Sequence, residues 1–141
     1  MNPLDLDTWI RHQRLLGVVA IFVGLGAWAT EWAGMVYICP FCRAQRTVIV
    51  ILGVLMLLPS PRHWLVRYLA LVIGFFGAVV ASYQHFMSWA KISKGEFAWG
   101  EQWYIHPFLL SGAALFIIIA QVWFITLSDS TRQAAEPDEA E

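Results

Sequence analysis

Four apolar runs, each about as long as a bilayer is thick when helical, leave this chain few ways to fold. The first covers residues 15 to about 38 and is broken only by Glu31. The second covers 39–58, the third 64 to about 86, and the fourth 107–127. In hydrocarbon every backbone N–H and C=O must be satisfied within the segment, so runs like these form helices. The expected fold is therefore an all-α integral membrane protein, a four-helix transmembrane bundle over residues 15–127. Composition agrees, because only 13% of the residues are charged and 59% are hydrophobic. Soluble domains carry about a quarter charged residues, so this chain lacks the polar surface to cover a water-soluble globule. The net charge is −1 and no basic stripe lies on a soluble face, which sets nucleic-acid binding aside.

The segments between the runs suggest a topology. Residues 1–14, with Asp5, Asp7, Arg11, His12 and Arg14, read as a short cytoplasmic helix or tail ahead of the membrane. Arg11, Arg14, an apolar core and Ala27-Trp28-Ala29 also resemble a cleaved signal peptide, but apolar character resumes at Trp32 and favours a span. Pro59-Ser60-Pro61 permits little but a reversal. Gly74 with Ala78, and Gly77 with Ala81, place small residues one turn apart, a pattern that lets helices approach closely. Residues 88–106 mix Trp89, Phe97, Trp99, Trp103 and Tyr104 with Lys91, Lys94, Glu96 and Glu101, and are expected to lie on the membrane as a short interfacial segment. Residues 128–141 are acidic and free of aromatics, which predicts a disordered cytoplasmic tail. An even number of spans puts both ends on one side. Arg11, Arg14, Arg62, Arg67 and Arg132 flank that side against Lys91 and Lys94 in the opposite loop, which points the termini to the cytoplasm.

Both cysteines fall in one stretch, Cys39-Pro40-Phe41-Cys42-Arg43-Ala44-Gln45-Arg46, at the outer start of the second run. Two sulfurs at this spacing can form a disulfide or clamp a metal ion. Pro40 suits the first position of a helix, where its missing N–H costs nothing. Cys42 then sits in the first turn, among the free amide donors of the helix start. Arg46 follows it by four residues, on the same face and about 6 Å deeper along the axis. A cation one turn inside an apolar helix needs a partner or a task; Glu31 reads first as an interfacial acid near the headgroups, although an acid near the motif could also pair with Arg43 or Arg46.

At this point the residues resemble the DsbB family of disulfide bond formation proteins. That family's Cys-x-x-Cys-x-x-x-Arg is matched by Cys39, Cys42 and Arg46, with Gln45 as in many members. Ala81-Ser82-Tyr83-Gln84-His85 is similar to the family's Tyr-x-His at the end of the third helix. The resemblance implies a thiol:quinone oxidoreductase of the bacterial inner membrane, with the dithiol on the periplasmic side. Its cofactor would be a membrane quinone, ubiquinone or menaquinone, and its partner a periplasmic thioredoxin-fold dithiol protein of DsbA type. By the same implication Cys39 exchanges with the partner, Cys42 contacts the quinone, Arg46 polarises it, and His85 neighbours it. Thiolate attack and charge stabilisation by a cation suit such chemistry.

One departure bears on all of this. Family members generally carry a second cysteine pair in the second outer loop, and residues 88–106 contain none. Either Cys39 reacts directly with the partner, or another protein supplies the pair, or the chain has left disulfide formation. Two further functions stand beside the oxidase. One is a Cu(I) or Zn(II) module using Cys39, Cys42, His85 and His106, which the nearby arginines oppose. The other is a non-catalytic subunit that docks a partner through its aromatic loop. At single residues, Arg46 can snorkel to headgroups, His85 can be a hydrogen-bonded helix-end histidine, and the tryptophans can form an interfacial belt.

Overall fold

The computed structural model describes residues 6–58, 63–100 and 103–127. Five helices follow one another: α1 Leu6–Arg11, α2 Gln13–Trp32, α3 Pro40–Leu57, α4 Trp64–Ser93 and α5 Pro107–Leu127, with a 3₁₀ turn at Trp103–Ile105. Four of them, α2 to α5, are long and apolar enough to cross a membrane. No strand occurs among the described residues. The expected all-α membrane bundle is the fold observed.

Helix α3 is the hub. It packs most extensively on α2 and also touches α4 and α5, which pack on each other. Its Val48, Ile49, Leu52 and Met56 meet Ala70 and Ala81 of α4 and Ala114, Ile118 and Ile125 of α5 in one buried core. Small residues bring the backbones together, as hydrocarbon supplies no hydrophobic drive for helix association and van der Waals contact must do so. A Cβ on Gly17 of α2 would lie 2.9 Å from the Gly53 carbonyl oxygen of α3, and one on Gly53 would lie 3.0 Å from that of Gly17. On α4, a Cβ at Gly77 would lie 2.6 Å from Val48 Cγ1 and 3.0 Å from Ile118 Cδ1. The Gly74/Ala78 and Gly77/Ala81 stripe thus marks a helix seam. Outward faces are apolar too, with Phe22, Phe75 and Phe116 among the most exposed side chains, as lipid contact requires.

Two helix ends differ from the boundaries expected from hydropathy. Helix α2 stops at Trp32 instead of near residue 38, and α4 continues to Ser93 instead of ending near 86. Both stop by the same device. Gly34 has φ 70° and Gly95 has φ 72°, a left-handed conformation that glycine adopts without strain. Each closes a Schellman motif. In one, Gly34 N donates to Glu31 O and Met35 N to Thr30 O; in the other, Gly95 N donates to Ile92 O and Glu96 N to Lys91 O. The first third of the expected outer loop is therefore helix. The remainder folds back over the start of α5, with Phe97 and Trp99 packed around His106 and Phe108. The Pro59-Ser60-Pro61 reversal, Glu101 and the acidic 128–141 tail lie outside the described residues.

Candidate functional site: a capped dithiol

The connection after α2 delivers Cys39 in an extended conformation, φ −123° and ψ 115°, as the N-cap of α3. Pro40 is the first helical residue, as its fixed φ and missing donor favour. Cys42 falls in the first turn, and its amide donates to Cys39 Sγ at 3.4 Å. Both cysteines are free thiols and both are buried, at 7% and 8% exposure. The sulfur expected to face outward, that of Cys39, is as covered as its neighbour.

Much of the polar cover comes from α4. Gln84 Nε2 points at both sulfurs, 3.7 Å from Cys39 Sγ and 3.6 Å from Cys42 Sγ. Its amide is held in that sense from the other side, because Gln84 Oε1 accepts from Gln45 Nε2 at 2.7 Å. Gln45 stands one turn beyond Cys42, so α3 supplies the sulfurs and also the group that aims the α4 amide at them. An N–H donor shared by two sulfurs serves whichever of them carries negative charge.

The arginines are fixed by Glu31, whose side chain is only 2% exposed. Its Oε1 accepts from Arg43 Nε at 2.5 Å and its Oε2 from Arg46 Nη1 at 2.8 Å. The Schellman turn at Gly34 ends α2 directly beyond this carboxylate, at the level of the α3 start. Arg43 also lies over the Trp28 ring at 5.8 Å. A cation inside an apolar helix thus has its counter-ion, and two guanidinium groups against one carboxylate leave net positive charge beside the dithiol. Among the described residues, Arg46 makes no hydrogen bond besides that to Glu31, so donors remain free on the face it shares with Cys42. Tyr37, in the connection leading to Cys39, has its phenol pushed above the ordinary value by partial burial first and by negative charge on Cys39 and Cys42 second. It stays a neutral phenol at the edge of the site.

His85 does not join this group. Adjacent helix positions point about 100° apart, so Gln84 faces α3 while His85 faces α5. His85 Nδ1 lies 3.0 Å from Phe108 O and 3.2 Å from Ser111 Oγ, and its ring stacks on Phe108 with centroids 4.4 Å apart. His106 is also engaged locally. Its Nδ1 accepts from Phe108 N at 3.2 Å, which leaves Nε2 to donate to Ala98 O at 3.0 Å. Among the described residues no three of His, Cys, Asp and Glu come together as a metal site, so the Cys39, Cys42 and His85 ligand set does not assemble. Glu31, in the last turn of α2, pairs with both arginines, its side chain buried within the protein. Gln45 and Gln84 lie inside the two stretches that resemble the family, but the sequence reading gave neither a role. Their signal was an uncharged polar side chain within an apolar span.

A polytopic all-α bundle with a buried dithiol capping one of its membrane helices defines a membrane protein built for thiol–disulfide chemistry. The family model described as disulfide bond formation protein DsbB matches residues 11–98, more than half of the chain, and the chain belongs to that family. The match covers α2, α3 and α4, the helices that build the site. Comparison with curated proteins found no match, and comparison with solved structures found none either. Family membership assigns the chain to membrane disulfide-bond oxidoreductases, with Cys39 and Cys42 as its two cysteines.

Proposed function

We propose that this protein is a single-pair thiol:quinone oxidoreductase, which oxidises a thioredoxin-fold dithiol protein of DsbA type through a Cys39–Cys42 disulfide. The observation that carries this reading is the shared Gln84 amide on both sulfurs, beside a guanidinium that keeps free donors. In the bacterial inner membrane the termini would be cytoplasmic and the dithiol periplasmic, consistent with the arginine bias.

The exchange needs no second cysteine pair. A partner thiolate attacks Cys39 Sγ of the disulfide, a mixed disulfide forms, and Cys42 leaves as the thiolate. The partner's second thiol then attacks its own sulfur in the mixed disulfide and releases Cys39. The partner gains a disulfide, and two electrons come to rest on Cys39 and Cys42. Since Cys39 is covered, Gln84 must release it for the partner to reach it. The amide then has Cys42 Sγ to serve as charge builds there, which keeps the leaving thiolate stabilised.

The residues present fit a quinone, an apolar ring with two carbonyl acceptors. Arg46 offers guanidinium N–H donors on the Cys42 face, and Phe41 and Tyr83, in ring contact at 5.7 Å, offer apolar surface at the same level. A bound quinone supplies a two-electron, two-proton acceptor. Arg46 would hold its carbonyl and Cys42 would face its ring. Glu31 keeps Arg46 oriented, and Gln84 and Gln45 hold the sulfurs in place. His85, turned to α5, has no contact with Cys39, Cys42 or Arg46 among the described residues, and is left as a neighbour of the α5 end of the site.

Trapping tests the exchange step. A Cys42→Ala variant treated with a thioredoxin-fold protein that keeps only its attacking cysteine, activated as a mixed disulfide with a small aromatic thiol, should displace that thiol and form a mixed disulfide through Cys39, stable because neither chain retains a resolving thiol. The Cys39→Ala variant should form much less. Equal trapping through either cysteine would contradict the assignment of Cys39 as the exchanging sulfur.

A further inference from the structure

At the end of the bundle opposite the dithiol, a cavity of about 230 Å³ lies between the start of α2 and the end of α3. Ile10, Arg11, Gln13, Arg14, Met56 and Leu58 line it. Gln13 is buried at 6% exposure, and its Nε2 has no hydrogen-bond partner among the described residues. A buried donor without an acceptor is costly, so an unpartnered amide on a residue that lines a cavity points to an acceptor that a small side-chain turn would bring within reach. The charges agree. Arg11 and Arg14 are both exposed, and among the described residues neither forms an ion pair. The helix start agrees too, as His12 at the α2 N-cap makes no side-chain cap and leaves first-turn amides open. His12 itself turns away, with Nδ1 2.7 Å from Thr8 O.

We infer that this cavity binds the phosphate of a membrane glycerophospholipid. Gln13 Nε2 and the first amides of α2 donate to phosphate oxygens, and Arg11 and Arg14 supply the counter-charge. Ile10, Met56 and Leu58 provide the apolar wall that a glycerol and the first acyl carbons require. Position favours a lipid over a free anion, because the site opens where two membrane-spanning helices end, at headgroup depth. An anionic headgroup without its own cation, such as phosphatidylglycerol, satisfies both arginines. The choline of phosphatidylcholine would crowd them with a like charge.

The test is lipid retention by the full-length protein in detergent, read by native mass spectrometry, with phosphatidylglycerol, phosphatidylcholine and inorganic phosphate as probes. Wild type should retain phosphatidylglycerol over phosphatidylcholine, and millimolar inorganic phosphate should not displace it. Gln13→Leu should lose about tenfold in phosphatidylglycerol retention, the size of one hydrogen bond to a charged group. The Arg11→Gln/Arg14→Gln double variant, altered only at exposed positions, should lose the preference between the two lipids. Oxidation of Cys39 and Cys42 should be unchanged in all of them, as the two sites lie at opposite ends. Retention by both variants equal to wild type would overturn the site. Displacement by inorganic phosphate would overturn the lipid assignment in favour of a small-anion site.

Discussion

Glu31 shows how far one residue can set the terms for its neighbours. It is a buried carboxylate that accepts from both Arg43 and Arg46, so removing it strands two cations at the start of an apolar helix. Glu31→Ala should therefore cost about 3 kcal/mol of stability, the range for breaking a buried pair from one side. Arg43→Gln should cost less, about 1 kcal/mol, because that side chain is 42% exposed and Arg46 still pairs with Glu31. Thermal unfolding in detergent checks both, and equal losses would contradict the account. Gln84 offers a second test. Its donor stabilises the reduced, charged form of the pair, so Gln84→Ala should shift the dithiol–disulfide equilibrium about tenfold toward the disulfide. Against a thiol redox buffer that is a fall in potential of about 30 mV. Gln45→Ala should move it the same way by less, since it frees the Gln84 amide to turn. Part of this site was legible in the sequence because charge is conspicuous in an apolar run: Glu31, Arg43 and Arg46 stood out, with pairing as one of the ways to accommodate them. Gln84 carries no charge and meets Cys39 and Cys42 across more than forty positions, so its polar side chain in an apolar span was a weak signal that named no partner. His85 entered the expected site through its match to the family's Tyr-x-His, and its ring turns to Phe108 and Ser111 of α5 while the adjacent Gln84 faces the sulfurs.

At the scale of elements, the existence of four spans followed from run length, while their ends did not. Hydropathy averages over a window and does not see a cap. Gly34 and Gly95 set the two displaced ends through left-handed turns, and each could have been found as the first glycine past a continuous helical pattern. The consequence is functional. A helix α2 that ran on to residue 38 would have no connection in which Cys39 could adopt its extended N-cap conformation. The seams between elements make their own prediction. Gly77→Leu must displace Val48 and Ile118 and should cost about 3 kcal/mol or prevent folding. Gly26→Leu, with nothing within 4 Å of its added Cβ, should fold and unfold like wild type. Similar behaviour of the two would mean that α4 does not pack as described.

The whole molecule separates its tasks along the membrane normal. The dithiol, its arginines and the aromatic return of residues 96–100 and 103–106 occupy one end, and the Gln13 cavity with Arg11 and Arg14 occupies the other. Labelling of single cysteines introduced at Thr8 and Lys94, in a background without Cys39 and Cys42, should report opposite faces to an impermeant reagent. Labelling from the same face would break the even-span arrangement. The proposed function rests on Cys39 and Cys42, the two cysteines of this sequence, and the most direct measurement follows from that. The purified protein is reduced, given a soluble quinone without oxygen, and its remaining thiols are counted alongside the Cys39→Ala and Cys42→Ala variants. The account predicts loss of both thiols with one quinone reduced per protein, and no disulfide in either variant. Persistence of both thiols in the wild type, with the quinone unchanged, would contradict it.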